Sequence, residues 1–308
     1  MQMIPMLEND AGLAPLCALR NHALATLAEQ ALIAEAELTP KPGLVDRRGS
    51  GAHNDLSLNL MRLSATSLRP FFAAMGAIAT GRDLDVSLRR DLAAIGRDAE
   101  RKMYQVTGGV NTHKGAIWNL GLLVAAAARN GLTHSGEIAA DAGTIARLPD
   151  RPQPALITHG DMVRKRYGIV AGARTEAASG FPRVLESGLA MLRIVRAAKS
   201  AEENCRLDAL LSLMSQVDDT CVLYRGSGDA LSVVKSRAEA VLLAGGCATA
   251  EGRRRMRKLD QELIARHASP GGSADLLAAT IFLDAVERQS EIRRDHSRWE
   301  EQDGTSQV

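Results

Sequence analysis

Residues 88–106 read LRRDLAAIGRDAERKMYQV, and their apolar side chains recur at every third or fourth position. That period places them in one stripe along a helix. The same pattern recurs in residues 24–35, 207–217 and 234–242, whereas alternating β-branched runs are nearly absent and aromatic residues make up 3% of the chain. We therefore predict an all-α fold, a single globular domain of about ten helices with functional loops between them.

The length and charge of the chain limit its domains and its partners. A chain of 308 residues can form one large domain or two, and no shift in composition marks a boundary. We predict one helical domain over residues 21–288, an N-terminal extension over 1–20 and a charged tail over 289–308. A net charge of +2 gives no general attraction to nucleic acid or to anionic membranes.

The cysteines and the apolar stretches predict the compartment. The four cysteines lie far apart and form no CxxC pair, which argues against a zinc site and against a disulfide framework. The longest apolar stretch, residues 120–128, is too short to span a bilayer, and the first residues lack a signal-peptide pattern. We expect a cytoplasmic protein without a membrane partner. The oligomeric state is left open, a homo-oligomer included.

Five loops that combine glycine with charged or hydroxyl residues interrupt the helical pattern. They are residues 39–55 (TPKPGLVDRRGSGAHND), 107–114 (TGGVNTHK), 159–182 (HGDMVRKRYGIVAGARTEAASGFP), 218–229 (DDTCVLYRGSGD) and 269–275 (SPGGSAD). Long loops are uncommon in compact domains and are often functional. A solvated connector is the alternative for each loop.

The first loop and the helix before it carry candidate catalytic residues. Two prolines stiffen the chain around Lys41, and Asp46, His53 and Asp55 follow. Glu35 falls on the apolar stripe of the preceding helix, where a carboxylate costs free energy unless it is paired or binds a cation. The alternative for Glu35 is a helix-end carboxylate that turns back to water.

The second and fifth loops each lead into a helix. The second ends at Lys114, and the fifth contains the run Gly271–Ser273. Unpaired N–H groups and the helix dipole at such a start favour phosphate. Asp275, in the first turn after the fifth loop, is explained by the dipole alone or by Mg²⁺, which prefers one or two carboxylates together with substrate phosphates. Ordinary capping, by Asn111 or Thr112 in the second loop, is the alternative.

The fourth and third loops add further charged candidates. Asp218 and Asp219 lie at a predicted helix C-terminus, where two carboxylates are costly unless a cation or an arginine compensates them. Arg225 follows them, and Glu176 lies among small residues in the third loop. The sequence contains no GxSxG, GxxxxGK or HExxH motif. These features favour group transfer between phosphorylated ligands over hydrolysis through a covalent serine or cysteine.

The same five segments resemble the triphosphoribosyl-dephospho-CoA synthase family. The matching strings are TPKPGLVD with GAH.D behind it (39–55), GGVNTHKGAI (108–117), HG…YG…E…GFP (159–182), DT…RG (219–226) and SPGGSADLLA (269–278). They occur in the family order and, with Glu35, extend from residue 35 to about residue 283. The fourth segment departs from the family pattern at Cys221 and Ser227, which replace an asparagine and a glycine, so a ligand role for Cys221 has no family support.

The resemblance implies an all-helical transferase that acts on ATP and 3′-dephospho-CoA. Members of the family cleave the N-glycosidic bond of ATP, release adenine and attach C1 of the ribose to the 2′-hydroxyl of dephospho-CoA. The change from a β to an α linkage implies a single inverting displacement. The product is the precursor of the prosthetic group of an acyl carrier protein in citrate lyase or malonate decarboxylase. Residues 46–65, DRRGSGAHNDLSLNLMRLSA, resemble the malonate decarboxylase branch more closely.

Roles for the candidate residues follow from that reaction. The candidates for catalysis are three carboxylates and, behind them, two histidines for which packing or capping is the alternative: Glu35, Asp46, Asp55, His53 and His113. The substrates are expected to bind a set of loop residues: Lys41, Thr112, Lys114, Glu176, Arg225, Gly271, Gly272 and Ser273. Mg²⁺, entering with ATP as the substrate, is expected to bind Asp219 and Asp275.

Two other functions stay open on the sequence alone. One is a non-catalytic homologue that binds ATP or CoA, against which the retained carboxylates argue. The other is an ATP-dependent transferase of the same superfamily with a different alcohol acceptor, because nothing in the sequence names the acceptor.

Overall fold

A computed structural model describes residues 10–150, 159–168, 172–225 and 228–304. These residues contain thirteen α-helices and no β-strand, which confirms the all-α prediction. The helices are α1 (Asp10–Glu37), α2 (Leu58–Ala79), α3 (Val86–Val106), α4 (Lys114–Asn130), α5 (Ser135–Arg147), α6 (His159–Tyr167), α7 (Ala173–Ala178), α8 (Ala190–Ala197), α9 (Glu202–Gln216), α10 (Thr220–Arg225), α11 (Gly228–Leu243), α12 (Ala250–Ala265) and α13 (Gly271–Gly304). A π-helical segment, Val184–Leu189, leads into α8, and a 3₁₀ turn, Gly246–Ala248, lies before α12.

Three short helices lie inside segments that we predicted as loops, so the number of helices exceeds ten. α6 and α7 occupy the third loop, and α10 occupies the fourth. They are nine, six and six residues long, too short for a 3.6-residue period to be recognised in the sequence. Ser227 lies outside the described residues.

The sequence pattern of residues 88–106 forms the buried face of α3. Leu88 and Met103 are buried on that face, and the Asp85 carboxylate accepts the Leu88 N–H at 2.7 Å and caps the helix. α4 is buried on almost every side over residues 116–128 and packs against α1, α2, α3, α5 and α13. A helix that is apolar all round belongs in the interior, so α4 forms the centre of the core.

The functional loops meet where one helix ends and three others begin. α1 ends at Glu37 and runs into the first loop, while the starts of α4, α10 and α13 lie close to one another. Each helix start presents N–H groups that have no partner within the helix. This geometry concentrates positive electrostatic potential in one region of the protein.

Two helices cross the predicted domain bounds. α1 continues across residue 20 and α13 continues across residue 288, and the bounds at these positions stay a prediction. Within the described ranges, no helix is both long enough and apolar enough to cross a membrane.

Candidate active site

Lys41 and Glu35 form a buried ion pair at the end of α1. The Lys41 Nζ lies 2.5 Å from Glu35 Oε1 and 2.6 Å from the Glu35 carbonyl oxygen, and the two side chains are 1% and 5% exposed. The cation predicted to compensate Glu35 is therefore the Lys41 ammonium group. This corrects the prediction that Lys41 binds the triphosphate, because its charge is directed into the protein and is already neutralised.

Asp46 organises the first loop through several hydrogen bonds. Its buried carboxylate accepts the Lys41 N–H at 2.8 Å, the Arg48 N–H at 2.7 Å and the Arg48 Nε–H at 2.9 Å. Arg48 also reaches Asp260 of α12 at 2.7 Å, and the other Asp260 oxygen accepts the Gly43 N–H at 2.9 Å. A carboxylate held in this way positions the loop, so the geometry does not support the catalytic role predicted for Asp46.

Asp260 lies outside all five motifs and holds the first loop in place. Its replacement tests this role. We expect Asp260→Ala to lower the free energy of unfolding by about 1–3 kcal/mol, because the Gly43 N–H and Arg48 both lose a partner. Chemical denaturation followed by circular dichroism measures the loss. The matched control is Glu262→Ala on the same helix, whose side chain is 34% exposed, with an expected change within about 0.5 kcal/mol. Equal losses in the two variants would show that Asp260 has no special anchoring role.

His113 lies at the start of α4 and is buried. Its Nδ1 is 2.8 Å from the Ser64 hydroxyl, which lies 2.6 Å from the Thr112 hydroxyl, and its Nε2 has no hydrogen-bond partner among the described residues. Burial, and then the positive charge of Lys41, lower the pKa of His113 to about 3. His113 is therefore neutral near neutral pH, its catalytic role stays a prediction, and the Thr112 hydroxyl contacts Ser64.

Lys114 begins α4 on its exposed side. Its Nζ pairs with Glu100 at 3.2 Å, and its backbone N–H donates to the Asn111 side chain at 3.2 Å. The Asn111 side chain therefore accepts the first N–H group of α4, although the N-cap residue is His113, whose side chain makes no capping bond. Lys114 keeps 41% of its side chain exposed, so its substrate-binding role stays a prediction.

Asp219 connects the starts of α10 and α13. One of its oxygens accepts the N–H groups of Cys221 at 2.9 Å and Gly272 at 3.2 Å, and the other accepts the Ser273 N–H at 2.8 Å and the Ser273 hydroxyl at 2.9 Å. Asp218 and Asp219 follow the end of α9 at Gln216, as predicted, but the Asp219 carboxylate bonds the N–H groups at two helix starts, where a carboxylate is favourable. The Gly272 and Ser273 N–H groups donate to Asp219, which corrects the prediction that they face a phosphate.

Asp275 lies against the start of α4. The Ala116 N–H favours its charged form, and a Cβ atom at Gly115 would overlap its carboxylate, so a side chain at position 115 would displace Asp275. Burial, followed by the negative charges of Glu35 and Asp219, raises the pKa of Asp275 well above its usual range. Asp275 is therefore the carboxyl group that would gain most from a nearby positive charge.

The carboxylates allow a test of the predicted Mg²⁺ ligands. No group of three or more His, Cys, Asp or Glu side chains is arranged for a metal ion in the part of the chain that the structure describes. Asp219 already accepts five hydrogen bonds, four from backbone N–H groups and one from the Ser273 hydroxyl, so it does not fit as a direct ligand. Asp275 fits a Mg²⁺ that brings substrate phosphates as its other ligands, because Mg²⁺ in such sites takes only one or two carboxylates.

His53 joins the first, fourth and fifth loops. Its Nε2 lies 2.7 Å from the Ser269 hydroxyl, and its Nδ1 lies 2.6 Å from an Arg225 guanidinium nitrogen and 3.5 Å from an Asp55 oxygen. Burial, and then the charge of Arg225, lower the pKa of His53 to about 4, while Asp55 acts in the opposite direction. Asp55 is 54% exposed, so this group borders solvent. Ser269 was missed because a hydroxyl in a glycine-rich motif has no distinctive spacing.

The remaining candidates, Glu176 and Gly271, make contacts that hold neighbouring segments of the chain in place. Glu176 accepts the N–H groups of Arg183 at 2.6 Å and Val184 at 3.3 Å at the start of the π-helical segment, and burial raises its pKa. Gly271 packs against Cys221, where a Cβ atom would lie 3.3 Å from the sulfur. Burial and the nearby carboxylates raise the pKa of the Cys221 thiol, so it is not activated as a nucleophile.

Two surface clefts lie outside this cluster. One, of about 350 Å³, is lined by α1, the start of α9 and Arg47 of the first loop. The other, of about 410 Å³, lies between the start of α5 and the middle of α13. Neither is lined by His53, Asp219 or Asp275.

Comparison with known proteins places the chain in a family. The family model described as CitG, ATP:dephospho-CoA triphosphoribosyl transferase, matches residues 21–294. A protein from Stutzerimonas stutzeri (strain A1501), named a probable 2-(5''-triphosphoribosyl)-3'-dephosphocoenzyme-A synthase, is 54% identical over 85% of this chain and 91% of its own. One of the same name from Pseudomonas aeruginosa (strain UCBPP-PA14) is 55% identical over 85% and 90%. A crystal structure from Archaeoglobus fulgidus, provisionally described as a triphosphoribosyl-dephospho-CoA synthase, matches distantly, with 19% identity, a TM-score of 0.47 and coverage of 73% and 97%.

The fold and the site together define an all-helical protein whose polar loop residues gather at helix starts. Residues 39–55, 108–117 and 269–278, which carried the resemblance, lie inside the matched region. The chain belongs to the ATP:dephospho-CoA triphosphoribosyl transferase family.

Proposed function

We propose that the protein transfers the 5-triphosphoribosyl group of ATP to the 2′-hydroxyl of 3′-dephospho-CoA and releases adenine. The family match over residues 21–294 carries this proposal. The site supports it, because residues from the first, fourth and fifth loops meet around His53, and further loop carboxylates lie at the starts of α4 and α13. A non-catalytic binding homologue would not need His53 and Asp55 beside Arg225.

The chemistry assigns different roles to the clustered residues. The C1–N9 bond of ATP breaks as positive charge develops on the ribose, and the acceptor hydroxyl must lose a proton. His53, with Asp55 beside it, is the base, and Arg225 binds phosphate. Glu35, Lys41, Asp46 and Asp219 hold the helix ends and the first loop in place.

Mg²⁺ has a limited place in this proposal. When bound, it would neutralise charge on the triphosphate. Asp275 is the protein carboxylate that would hold it, since Asp219 is committed to helix N–H groups. The thiol at position 221 lies beside both carboxylates but has no proposed role in binding the ion.

Finer assignments rest on the sequence. The product is passed toward an acyl carrier protein, and residues 46–65 favour malonate decarboxylase over citrate lyase as its destination. Four free thiols support a reducing compartment, the cytoplasm. The oligomeric state stays open.

An assay of adenine release tests the proposed reaction. Protein, ATP, Mg²⁺ and 3′-dephospho-CoA are incubated, and adenine is separated by chromatography against a blank without dephospho-CoA. We expect adenine only when the acceptor is present. Formation of ADP or AMP instead would exclude glycosyl transfer, and no turnover at all would favour the non-catalytic homologue. Turnover with another alcohol but not with dephospho-CoA would favour the related transferase.

Asp55 offers a further test of the base. We expect Asp55→Asn to lower kcat by about 100-fold or more, because the protonated His53 loses its negative partner. The thermal midpoint should change little, since the side chain is 54% exposed. Asp91→Asn, at a side chain 50% exposed on α3, is the control and should retain full activity. Wild-type kcat in the Asp55 variant would remove Asp55 from the mechanism.

A further inference from the structure

The contacts of His53 favour one protonation state. A guanidinium nitrogen can only donate hydrogen bonds, and Arg225 Nη1 lies 2.6 Å from Nδ1 of His53 and 3.3 Å from Nε2, so Nδ1 is the nearer acceptor. The proton of the neutral ring then resides on Nε2, which donates to the Ser269 hydroxyl at 2.7 Å. Arg225 therefore lies against the ring nitrogen that would accept a proton, and its positive charge opposes protonation of the ring.

Arg225 is suited to leave this position. It lies at the exposed end of α10, and a guanidinium offers five N–H donors in a geometry that matches phosphate oxygens. A neutral imidazole nitrogen is a single acceptor without charge. A phosphate chain therefore competes favourably with His53 for Arg225.

We propose that Arg225 masks His53 until a phosphate chain binds, and that Ser269 is a positioning residue that holds the Nε2 proton of His53. Phosphate binding withdraws Arg225 and leaves Nδ1 free to accept the proton of the acceptor hydroxyl. This inference rests on the proposed function and adds a way in which the reaction is regulated: the base becomes available only when the triphosphate is in place.

The proton and electron pairs balance in this scheme. The acceptor O–H bond breaks and its proton moves to Nδ1 of His53, while the oxygen forms a bond to C1 of the ribose. The C1–N9 bond breaks, adenine leaves with the electron pair, and adenine gains the proton that His53 releases. Asp55, 3.5 Å from Nδ1, stabilises the protonated ring in between.

Two charged groups face His53, and they act in opposite directions. Arg225 lowers its pKa and Asp55 raises it, with burial as the largest effect. Withdrawal of Arg225 leaves Asp55 as the sole charged neighbour among these groups. The affinity of His53 for a proton should therefore rise when phosphate binds.

Nuclear magnetic resonance of ¹⁵N- and ¹³C-labelled histidine tests the masking without turnover. The probe is inorganic tripolyphosphate, and His53→Gln identifies the resonance. We expect His53 in the wild-type protein to titrate near pH 4 and tripolyphosphate to raise that midpoint by about one unit or more. Arg225→Gln should raise the midpoint by a similar amount and remove the response to tripolyphosphate.

A second arginine and a measurement near neutral pH serve as controls. Arg47→Gln, in the same loop as His53 and 58% exposed, should leave both the midpoint and the response unchanged. A measurement at about pH 6 does not require the fold to survive acid. At that pH the wild-type ring should be neutral with its proton on Nε2, and the Arg225→Gln ring should be partly charged. A wild-type midpoint that ignores tripolyphosphate, or that Arg225→Gln does not shift, overturns the masking.

The role of Ser269 is read from the tautomer. Ser269→Ala should give a mixture of Nδ1–H and Nε2–H forms in the ¹⁵N spectrum, and Ser269→Thr should restore the Nε2–H form. An unchanged tautomer in Ser269→Ala would overturn the positioning role. Because these spectra need no turnover, a phosphate-dependent shift without adenine release would contradict the proposed function and leave the masking intact.

Discussion

Replacing Asp219 by alanine is expected to lower the free energy of unfolding by about 3–5 kcal/mol. The carboxylate accepts hydrogen bonds from Cys221, Gly272 and Ser273 at the starts of two helices, and it is buried. Its loss leaves several buried N–H groups without a partner, which is costly. Urea denaturation followed by circular dichroism measures the change.

The neighbouring carboxylate is the matched control for this prediction. Asp218 differs by one position, has a side chain that is 46% exposed and pairs with Lys235 at 2.5 Å. Asp218→Ala should cost no more than about 1 kcal/mol, the usual range for an exposed pair. If Asp218→Ala and Asp219→Ala destabilised the protein equally, Asp219 would not be the link between α10 and α13.

Lys41→Met is expected to have an effect of similar size, about 3–5 kcal/mol of unfolding free energy. The substitution removes the ammonium group 2.5 Å from Glu35 Oε1 and leaves a carboxylate that is almost fully buried. The free energy of unfolding from urea titration is the observable. An uncompensated buried charge is among the few causes of losses this large.

Two further variants separate a buried pair from a surface contact. Glu35→Gln combined with Lys41→Met removes both charges and should recover most of the lost stability, because no isolated charge remains. Lys114→Met breaks the exposed contact with Glu100 and should cost about 0–1 kcal/mol. A double variant as unstable as Lys41→Met alone would show that the loss came from packing.

The fold was predictable because helices leave a local signal. The stripe over residues 88–106 depends on residues three and four apart, and α3 buries Leu88 and Met103 as predicted. Helices of six residues, such as α7 and α10, span less than two turns and leave no such period. Their positions became visible only through tertiary contacts such as those of Asp219.

The site was predictable as a set of residues but not as a set of pairs. Composition drew attention to Asp219, Arg225 and His53, yet Asp219 bonds Ser273, 54 positions away, and Arg225 contacts His53 at a separation of 172. Such partners depend on how the helices pack. The sequence also predicted Lys41 as a phosphate ligand. A charged residue beside glycine and proline occurs both in loops that bind ligands and in loops held by internal ion pairs, so the sequence does not distinguish the two.

The supporting role of Asp260 was predictable from its position on a helix. This residue falls on the apolar stripe of α12, between Met256 and Leu263, and a carboxylate on an apolar stripe needs a partner. The same rule led to Glu35, whose partner proved to be Lys41. Applied to every helix, it would also have indicated that α12 supports the first loop.

The most direct measurement follows the ribose itself. ATP labelled with ¹³C in the ribose is incubated with the protein, Mg²⁺ and 3′-dephospho-CoA, and the products are analysed by mass spectrometry. We predict a dephospho-CoA adduct that carries the whole ribose label and three additional phosphates, together with unlabelled adenine in equal amount. An acceptor without the label, or labelled ADP or AMP as the main product, would contradict triphosphoribosyl transfer by this protein.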